Sequence, residues 1–432
     1  MPKDKAHPLA YLSESGAFLI SRISRRPWLE PLYAISLGSQ ADLRLSDYLR
    51  FLRDETEVKV VAVYVESFMA GDGYLAAKAV REITRSPGRS VIIYKGGRSP
   101  AKEGSGAEEL DGIGVERGKK WTRGEGSAEG TEERERSERG EWAAEKSAGM
   151  SVRAGAIAGA SAGMEKRMDG GMDKGEEKKP EKKTEARPGA DYELFRAVFE
   201  DAGALIADTI AEFESFVSGA LLLGGKRVDG NRVALMSNAG FECVVMSDNL
   251  GNGEERLEPA AFSTETMRRI GEALAPLGIN KIQDIRNPLD VTPVADDAAF
   301  AAAAGAVLDD PGVDCAVISP LPLGPVLQTL PAGEGHREDM EGEGSIGKRL
   351  IEISKATDKP FVVNVDSGAD YDPLCAMLEE AGIPVFRDCD AAARFMRRWV
   401  GARRRIWTTP SRSMISRTST RNGSPRPTAR SG

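Results

Sequence analysis

The stretch VKVVAVYVESF, residues 58–68, decides the fold class of this chain. Its first eight residues are almost continuously apolar, as expected for a strand of a parallel sheet that helices cover on both faces. Further strand-like runs lie at 9–12, 34–37 and 90–94, and helical patterns lie near 16–26, 42–54 and 73–85. This alternation of strands and helices predicts a doubly wound α/β domain.

The same alternation returns in the second half of the chain. Strand-like runs lie at 232–236, 315–319, 361–365 and 384–386, and helical patterns lie near 240–250, 264–276, 346–356 and 371–382, with a last one ending at Val400. Between the two series, Leu194, Val198, Ala202 and Leu205 recur at helical spacing, and a second helical run ends at Leu223. The sequence therefore predicts one domain over 1–100 plus 189–224 and a second over 225–401.

Two segments differ from these domains in composition. Residues 101–188 are rich in Glu, Lys, Arg, Gly and Ser and have only Trp121 and Trp142 as aromatics, so they predict a disordered insertion. Residues 402–432 form a tail rich in Arg and Ser, with eight arginines and no acid from Arg403 onward, which also predicts disorder. The tail is consistent with a charged binding segment or with an out-of-frame end of the chain.

The composition excludes several classes of protein. With 59 basic and 67 acidic residues the net charge is −8, which argues against a nucleic-acid or membrane-surface binder. No apolar run is long enough for a membrane span, and the first residues lack the apolar core of a signal peptide. The four cysteines are widely spaced in apolar runs, which predicts a reducing, cytoplasmic location. With only His7 and His336 available, the sequence predicts no metal site.

Two short turns are candidate anion sites. Ser13, Glu14, Ser15, Gly16 and Ala17 follow the first strand and begin a helix, so the backbone N–H groups there face an anion. Ser237, Asn238, Ala239 and Gly240 repeat this arrangement in the second domain. Every parallel α/β sheet needs tight strand-to-helix turns, so one such turn is weak support for an anion site. Two turns at equivalent places give stronger support, because two helix N-termini could bind one phosphate from opposite sides.

Two further groups stand at strand ends. Glu66 ends the strand of residues 58–65, at the sheet edge where open α/β sheets place functional groups, although a solvated loop carboxylate is the alternative. Lys95-Gly96-Gly97-Arg98 offers cations to an anionic ligand, or forms a strand-end turn with solvated charges. The sequence contains neither GxGxxG nor GxxxxGK[ST], which argues against the common nucleotide sites.

The order of seven segments resembles the ADP-forming acyl-CoA synthetases, the acetate–CoA ligase branch of the succinyl-CoA synthetase superfamily. The segments are SESGA, ISLGSQADLRLSDYLRFL, VYVESF, IIYKGGRS, SNAG, RNPLDVT and AGIPVFRDCDAAARF. The resemblance implies two flavodoxin-like ligase-CoA domains of the α-subunit type. It also implies the reaction of ATP, a carboxylic acid and CoA to ADP, phosphate and acyl-CoA, through an acyl phosphate and a phosphohistidine.

The resemblance implies a role for each candidate residue. The two turns, 13–17 and 237–240, become the starts of the helices that hold the phosphohistidine, and Glu66 becomes the carboxylate that orients it. Glu14 stands where the family has Gln and Phe241 where it has Gly, and we expect both changes to weaken phosphate binding.

The phosphorylated histidine itself has no counterpart. The only echo of its motif is the stretch of residues 152–159, with Arg153 in place of the histidine, and an arginine has no free lone pair for attack on an acyl phosphate. Neither the CoA-binding domain nor the ATP-grasp domain of the family is recognisable. CoA and ATP with Mg²⁺ are the family's substrates, and we expect this chain alone to bind no cofactor and to need both domains in trans.

Two functions remain open from the sequence. The first is a component of an ADP-forming acyl-CoA synthetase that works with an ATP-grasp (β-type) subunit and a separate CoA-binding part. The second is a catalytically inactive or truncated relative, a pseudoenzyme that serves as a binding or regulatory module.

Overall fold

A computed structural model describes residues 6–98, 190–322 and 326–408. The insertion of residues 101–188 and the tail beyond residue 408 lie outside these residues. In the described part, no helix combines the length and the apolar character that crossing a membrane would require.

The first half of the chain forms a five-stranded sheet in which every pair is parallel, with the order β2-β1-β3-β4-β5. The strands are β1 (His7–Ser13), β2 (Pro31–Ser36), β3 (Val60–Val65), β4 (Ser90–Lys95) and β5 (Leu205–Ala207). The helices are α1 (Gly16–Arg25), α2 (Leu45–Asp54), α3 (Asp72–Thr84), α4 (Ala190–Asp201) and α5 (Ile210–Leu222). This strand order is that of flavodoxin-like folds, in which ligands bind beyond the carboxyl ends of the strands.

The second half forms another parallel sheet with the order β11-β10-β9-β6-β7, and β8 also pairs with β6. The strands are β6 (Arg232–Ser237), β7 (Glu258–Pro259), β8 (Leu289–Asp290), β9 (Cys315–Ser319), β10 (Phe361–Asn364) and β11 (Val385–Phe386). The helices are α6 (Gly240–Asp248), α7 (Thr264–Leu274), α8 (Asp297–Asp309), α9 (Ile346–Ala356), α10 (Asp372–Glu380) and α11 (Cys389–Thr408). Two parallel α/β sheets confirm the predicted fold class.

Several elements differ from the sequence prediction, among them the two-residue strands β7 and β8, which were not predicted. Leu205 continues the helical spacing of α4, but it begins strand β5, because Gly203 adopts a left-handed φ of +88° and ends the helix before it. Helix α8 was not predicted, although its alanine-rich run favours a helix and Asp296 caps it by accepting from the Ala299 N–H at 2.8 Å. Helix α11 continues past Gly401, the predicted domain end, to Thr408.

The two sheets share one hydrophobic core, in which α5 and α11 meet. The rings of Phe216 and Phe395 lie 5.7 Å apart, and a Cβ at Gly219 would stand 2.5 Å from the Phe395 ring. The absence of a side chain at Gly219 therefore permits this close approach. Arg398 on α11 adds an ion pair to Glu200 at 2.9 Å. Both sheets thus belong to a single compact unit.

Candidate functional site

The first turn, residues 13–17, lies at the carboxyl end of β1 and is fixed by its own serines. The Ser13 hydroxyl donates to the carbonyl oxygen of Ser15 at 2.7 Å and accepts from the Ser15 N–H at 3.2 Å. The Ser15 hydroxyl in turn caps α1 by accepting from the Phe18 N–H at 3.2 Å. One of the free amides at the start of the helix is therefore already satisfied by the chain itself.

Glu14 connects this turn to the end of β3. Its carboxylate accepts from the side-chain amide of Gln40 and the backbone N–H of Glu66, and from the N–H and hydroxyl of Ser67 at 3.2 and 3.3 Å. Gln40 is 3% exposed and its Oε1 accepts from the Leu45 N–H at 3.1 Å, at the start of α2. The acid at position 14 therefore holds three loops of the sheet edge together.

Glu66 is exposed beside this turn. Its Oε1 accepts from the Tyr64 hydroxyl at 2.6 Å, and burial together with this hydrogen bond raises the pKa of Tyr64 well above its usual range. The Lys95 ammonium donates to the carbonyl oxygens of Glu66 and of Gly96, and burial lowers the pKa of Lys95. The structure thus places Glu66 next to the first turn, with a carboxylate whose orientation Tyr64 fixes.

Arg98 is held by the protein rather than by solvent. Its guanidinium donates to the carbonyl oxygens of Lys95, Ala207 and Asp208 at 2.8–2.9 Å. It also lies over the rings of Tyr94 and Tyr192, at 5.1 and 4.6 Å from their centroids. The predicted alternative of solvated strand-end charges is therefore wrong for Arg98, whose donors bind the loop after β5.

The second turn, residues 237–240, lies at the carboxyl end of β6. The Ser237 hydroxyl accepts from the Ala239 N–H at 2.9 Å, and Asn238 exchanges two hydrogen bonds with the backbone of Leu321, at 3.0 and 2.7 Å. No side chain caps α6, whose N-cap residue is Ala239. A Cβ at Gly240 would stand 3.1 Å from Oδ2 of Asp290, so a carboxylate borders this helix start as well.

Sequence reasoning missed Glu242, which lies in the first turn of α6. Glu242 is 0% exposed, accepts from the Ser237 hydroxyl, and accepts from Nδ2 of Asn364 at 2.9 Å. Burial, and less strongly the charge of Asp366, raises the pKa of Glu242. The sequence does place an acid at the third position of the helix, from which a side chain reaches back toward the residues before the helix. Phe241 is 56% exposed, so most of its ring lies in solvent.

The two turns are not joined by a hydrogen bond in the described residues. The side chains of residues 13–17 bond within the first sheet, and those of residues 237–240 bond within the second. Convergence of both turns on one phosphate therefore stays a prediction, as do the roles assigned to Glu66 and to each turn.

The two histidines lie in different surroundings. His7 begins β1, six residues before Ser13, which separates it by roughly 20 Å along the strand from the first turn. His336 is exposed in the loop that follows β9, and its Nδ1 accepts from the Glu338 N–H at 3.2 Å. His7 is thus excluded as a phosphate carrier at the first turn. Arg153 and the stretch of residues 152–159 lie outside the described residues.

Comparisons with known proteins agree with this architecture. Residues 6–112 match the family model described as the succinyl-CoA ligase like flavodoxin domain. The chain is 22% identical over 388 residues to the subunit alpha of acetate–CoA ligase [ADP-forming] II of Pyrococcus furiosus, covering 89% of this chain and 63% of that protein. It is 24% identical over 308 residues to acetate–CoA ligase [ADP-forming] I of Archaeoglobus fulgidus, covering 71% of this chain and 32% of that protein.

A solved structure shows the same fold. The dinucleotide forming acetyl-coenzyme A synthetase 1 of Ca. Korarchaeum cryptofilum, in its apo form, superposes with a TM-score of 0.61 at 17% identity, over 94% of this chain and 68% of that one. The chain spans about one third to two thirds of the length of the two curated relatives. Residues 6–112 therefore match a succinyl-CoA ligase like flavodoxin domain, and most of the chain is similar in sequence to ADP-forming acetate–CoA ligases.

Proposed function

We propose that this chain is the flavodoxin-like component of an ADP-forming acyl-CoA synthetase. The observation that carries the proposal is the similarity to an acetate–CoA ligase subunit alpha over 89% of this chain. In the reaction, ATP, a carboxylic acid and CoA give ADP, phosphate and acyl-CoA. An ATP-grasp subunit and a CoA-binding part act in trans, and the four buried free thiols fit a reducing compartment such as the cytoplasm.

In this proposal the two turns bind the phosphoryl group during its transfer. Helix N-termini favour anions because their first N–H groups lack partners within the helix. The Ser15 hydroxyl caps α1, whereas no side chain caps α6. Glu66 stands beside the first turn with its carboxylate held by Tyr64, which suits a residue that orients the group carrying the phosphate. The carboxylate of Glu14 is turned toward the end of β3, which lessens the repulsion between this carboxylate and a phosphate bound at the first turn.

A specific observation favours the second candidate, a binding module without turnover. His7 lies at the amino end of β1, and each turn is bordered by a carboxylate, Glu14 in one case and Asp290 in the other. Without a histidine between the turns, the sites would hold an anion but pass no phosphoryl group on. The two candidates differ in one measurable property, the transfer of phosphate onto this chain.

The test is reconstitution of the full chain with the ATP-grasp subunit and the CoA-binding part from the same genome. The readouts are acyl-CoA formed from acetate, and γ-phosphate label on the chain mapped under alkaline conditions that preserve phosphohistidine. Turnover requires label on His336, because His7 is excluded and the sequence has no other histidine. We expect this label and product, and a loss of both on the order of 100-fold in Glu66→Gln.

The matched control is Glu57→Gln, because Glu57 is equally exposed but precedes β3 rather than following it. We expect this variant to retain full transfer. A partner subunit that phosphorylates a known relative, yet leaves this chain unlabelled and without product, would establish the binding module instead.

A further inference from the structure

Three metal-ligating side chains meet at the carboxyl edge of the second sheet. They are Glu242 in the first turn of α6, Asp366 just after β10, and Cys389 at the start of α11. One ligand atom of each lies within 4.8 Å of the other two. The proposed function uses none of these three residues, so the cluster needs a separate explanation.

The chemistry of the cluster selects a class of cation. A thiolate is a soft ligand that favours zinc, whereas magnesium and calcium prefer sites made of oxygen atoms alone. Oxygen and sulfur ligands of a tetrahedral zinc ion stand about 3.5 Å apart, as follows from bonds of about 2.0 and 2.3 Å. The three ligand atoms lie no more than 4.8 Å apart, so side-chain rotations can bring them to bonding distance of one ion.

Asn364 provides an independent observation at the same place. This residue is 0% exposed, and its Nδ2 donates to Oε1 of Glu242 and to the Ser319 hydroxyl, both at 2.9 Å. Its Oδ1 is buried and has no hydrogen-bond partner among the described residues. A buried amide oxygen that accepts nothing is unfavourable, and a cation held by the adjacent carboxylate would satisfy it.

The composition of the cluster also favours a cation. Two carboxyl groups and one thiol have their ligand atoms within 4.8 Å of one another, and a divalent cation between them would offset the repulsion of their anionic forms.

We propose that Glu242, Asp366 and Cys389, together with the amide oxygen of Asn364, bind one Zn²⁺ ion. The ion would connect the start of α6 to the start of α11 and so fix the second turn, residues 237–240. The sequence predicted no metal site because it contains only two histidines. The proposed site uses no histidine, and its ligands follow three separate strands, so that argument did not apply to it.

The test uses the full chain stripped of metal with a chelator. We expect Zn²⁺ to bind at one equivalent in calorimetry, and Co²⁺ to produce a thiolate-to-cobalt charge-transfer band. Cys389→Ser should abolish the band and weaken zinc binding at least about tenfold, and Asp366→Asn should weaken it similarly. The matched control is Cys375→Ser, since Cys375 is a buried thiol on α10 outside the cluster.

A measurement on the unaltered protein guards against a variant that fails to fold. Pulsed alkylation followed by peptide mass spectrometry should show that Zn²⁺ slows modification of Cys389 several-fold and leaves Cys375 unchanged. A cobalt complex without the thiolate band, a band that survives in Cys389→Ser, or equal alkylation of Cys389 with and without zinc would each overturn the proposal.

Discussion

The turns after β1 and β6 have the same backbone design but differ in how their helices begin. In both, the serine that ends the strand accepts from the N–H two residues later, at 3.2 Å for Ser13 and 2.9 Å for Ser237. In the first turn Ser15 then caps α1, whereas Ala239 leaves α6 without a side-chain cap. An equivalent turn geometry therefore does not imply an equivalent capacity to bind an anion.

The acids beside the turns differ even more. Glu14 is half-buried and accepts from backbone N–H groups at the end of β3, while Glu242 is 0% exposed and accepts from the side chains of Ser237 and Asn364. Glu14 connects loops at a solvent-accessible edge of the first sheet, and Glu242 completes a buried hydrogen-bond network. The comparison teaches that burial, rather than position in the turn, determines what each carboxylate does.

The largest effect that tests this comparison is on stability. In the presence of a chelator, we expect Glu242→Ala to lower the free energy of unfolding by about 3 kcal/mol, because it leaves Ser237 and Asn364 unpaired in the core. Glu14→Ala should cost about 1 kcal/mol, because water replaces its carboxylate. Urea unfolding followed by circular dichroism measures both values.

The isosteric variant Glu242→Gln sharpens this test, because it keeps the shape of the side chain and one acceptor oxygen and replaces only the other acceptor by a donor. It should cost less than Glu242→Ala. Equal losses for Glu14→Ala and Glu242→Ala would show that burial does not separate the two acids.

A carboxylate at the opposite edge of the second sheet gives the next largest effect, and its stabilising contribution is expected to depend on pH. Asp314, at the amino edge of the second sheet, accepts from Nε, Nη2 and the N–H of Arg232 at 2.8–2.9 Å. Burial raises the pKa of Asp314, but these hydrogen bonds outweigh it, so the pKa lies below its usual range. A lowered pKa contributes stability that is present above the unfolded value of about 3.9 and is lost as the pH falls.

We therefore expect Asp314→Asn to lose about 1–2 kcal/mol of unfolding free energy at pH 7 and progressively less below pH of about 4. Denaturant titrations at several pH values measure this difference. Asp309→Asn is the control, since Asp309 pairs with Arg269 at an exposed site and should change stability little. A loss that stays constant down to pH 3 would contradict the assigned sign.

The sequence predicted both parallel sheets because β1, β3, β4, β6 and β9 are largely apolar runs of five to seven residues, and it placed the two turns correctly at strand ends. It mistook Leu205 for helix because helical spacing continues through Ala202, and only the left-handed backbone of Gly203 separates α4 from β5. It omitted α8, where the apolar residues surround the helix instead of forming one stripe. Periodicity fails where small apolar residues also fill the exposed positions of a helix, as Ala298 and Ala302 do here.

The candidate site was only partly predictable for a different reason. Glu66 and the two turns are visible because each directly follows an apolar strand. The cluster of Glu242, Asp366 and Cys389 joins a segment near residue 242 to two segments more than 120 residues later, and a single sequence carries no signal for that proximity. Likewise, the sequence shows Glu14 as an acid beside a phosphate site, but its partners at Gln40 and Ser67 depend on how the loops pack.

The smallest expected change in stability concerns the helix N-caps, where the first turn has a serine hydroxyl and the second has none. Ser15→Ala should lower stability by about 1 kcal/mol, because the Phe18 N–H loses its acceptor. The reciprocal Ala239→Ser should raise stability by about 0.5 kcal/mol, because Ala239 already has the extended backbone of an N-cap residue, with φ of −133° and ψ of 120°. Thermal unfolding resolves both changes. If the new hydroxyl also lowers affinity for inorganic phosphate, the uncapped start of α6 is an anion site; if stability rises without any change in affinity, the difference between the turns is structural alone.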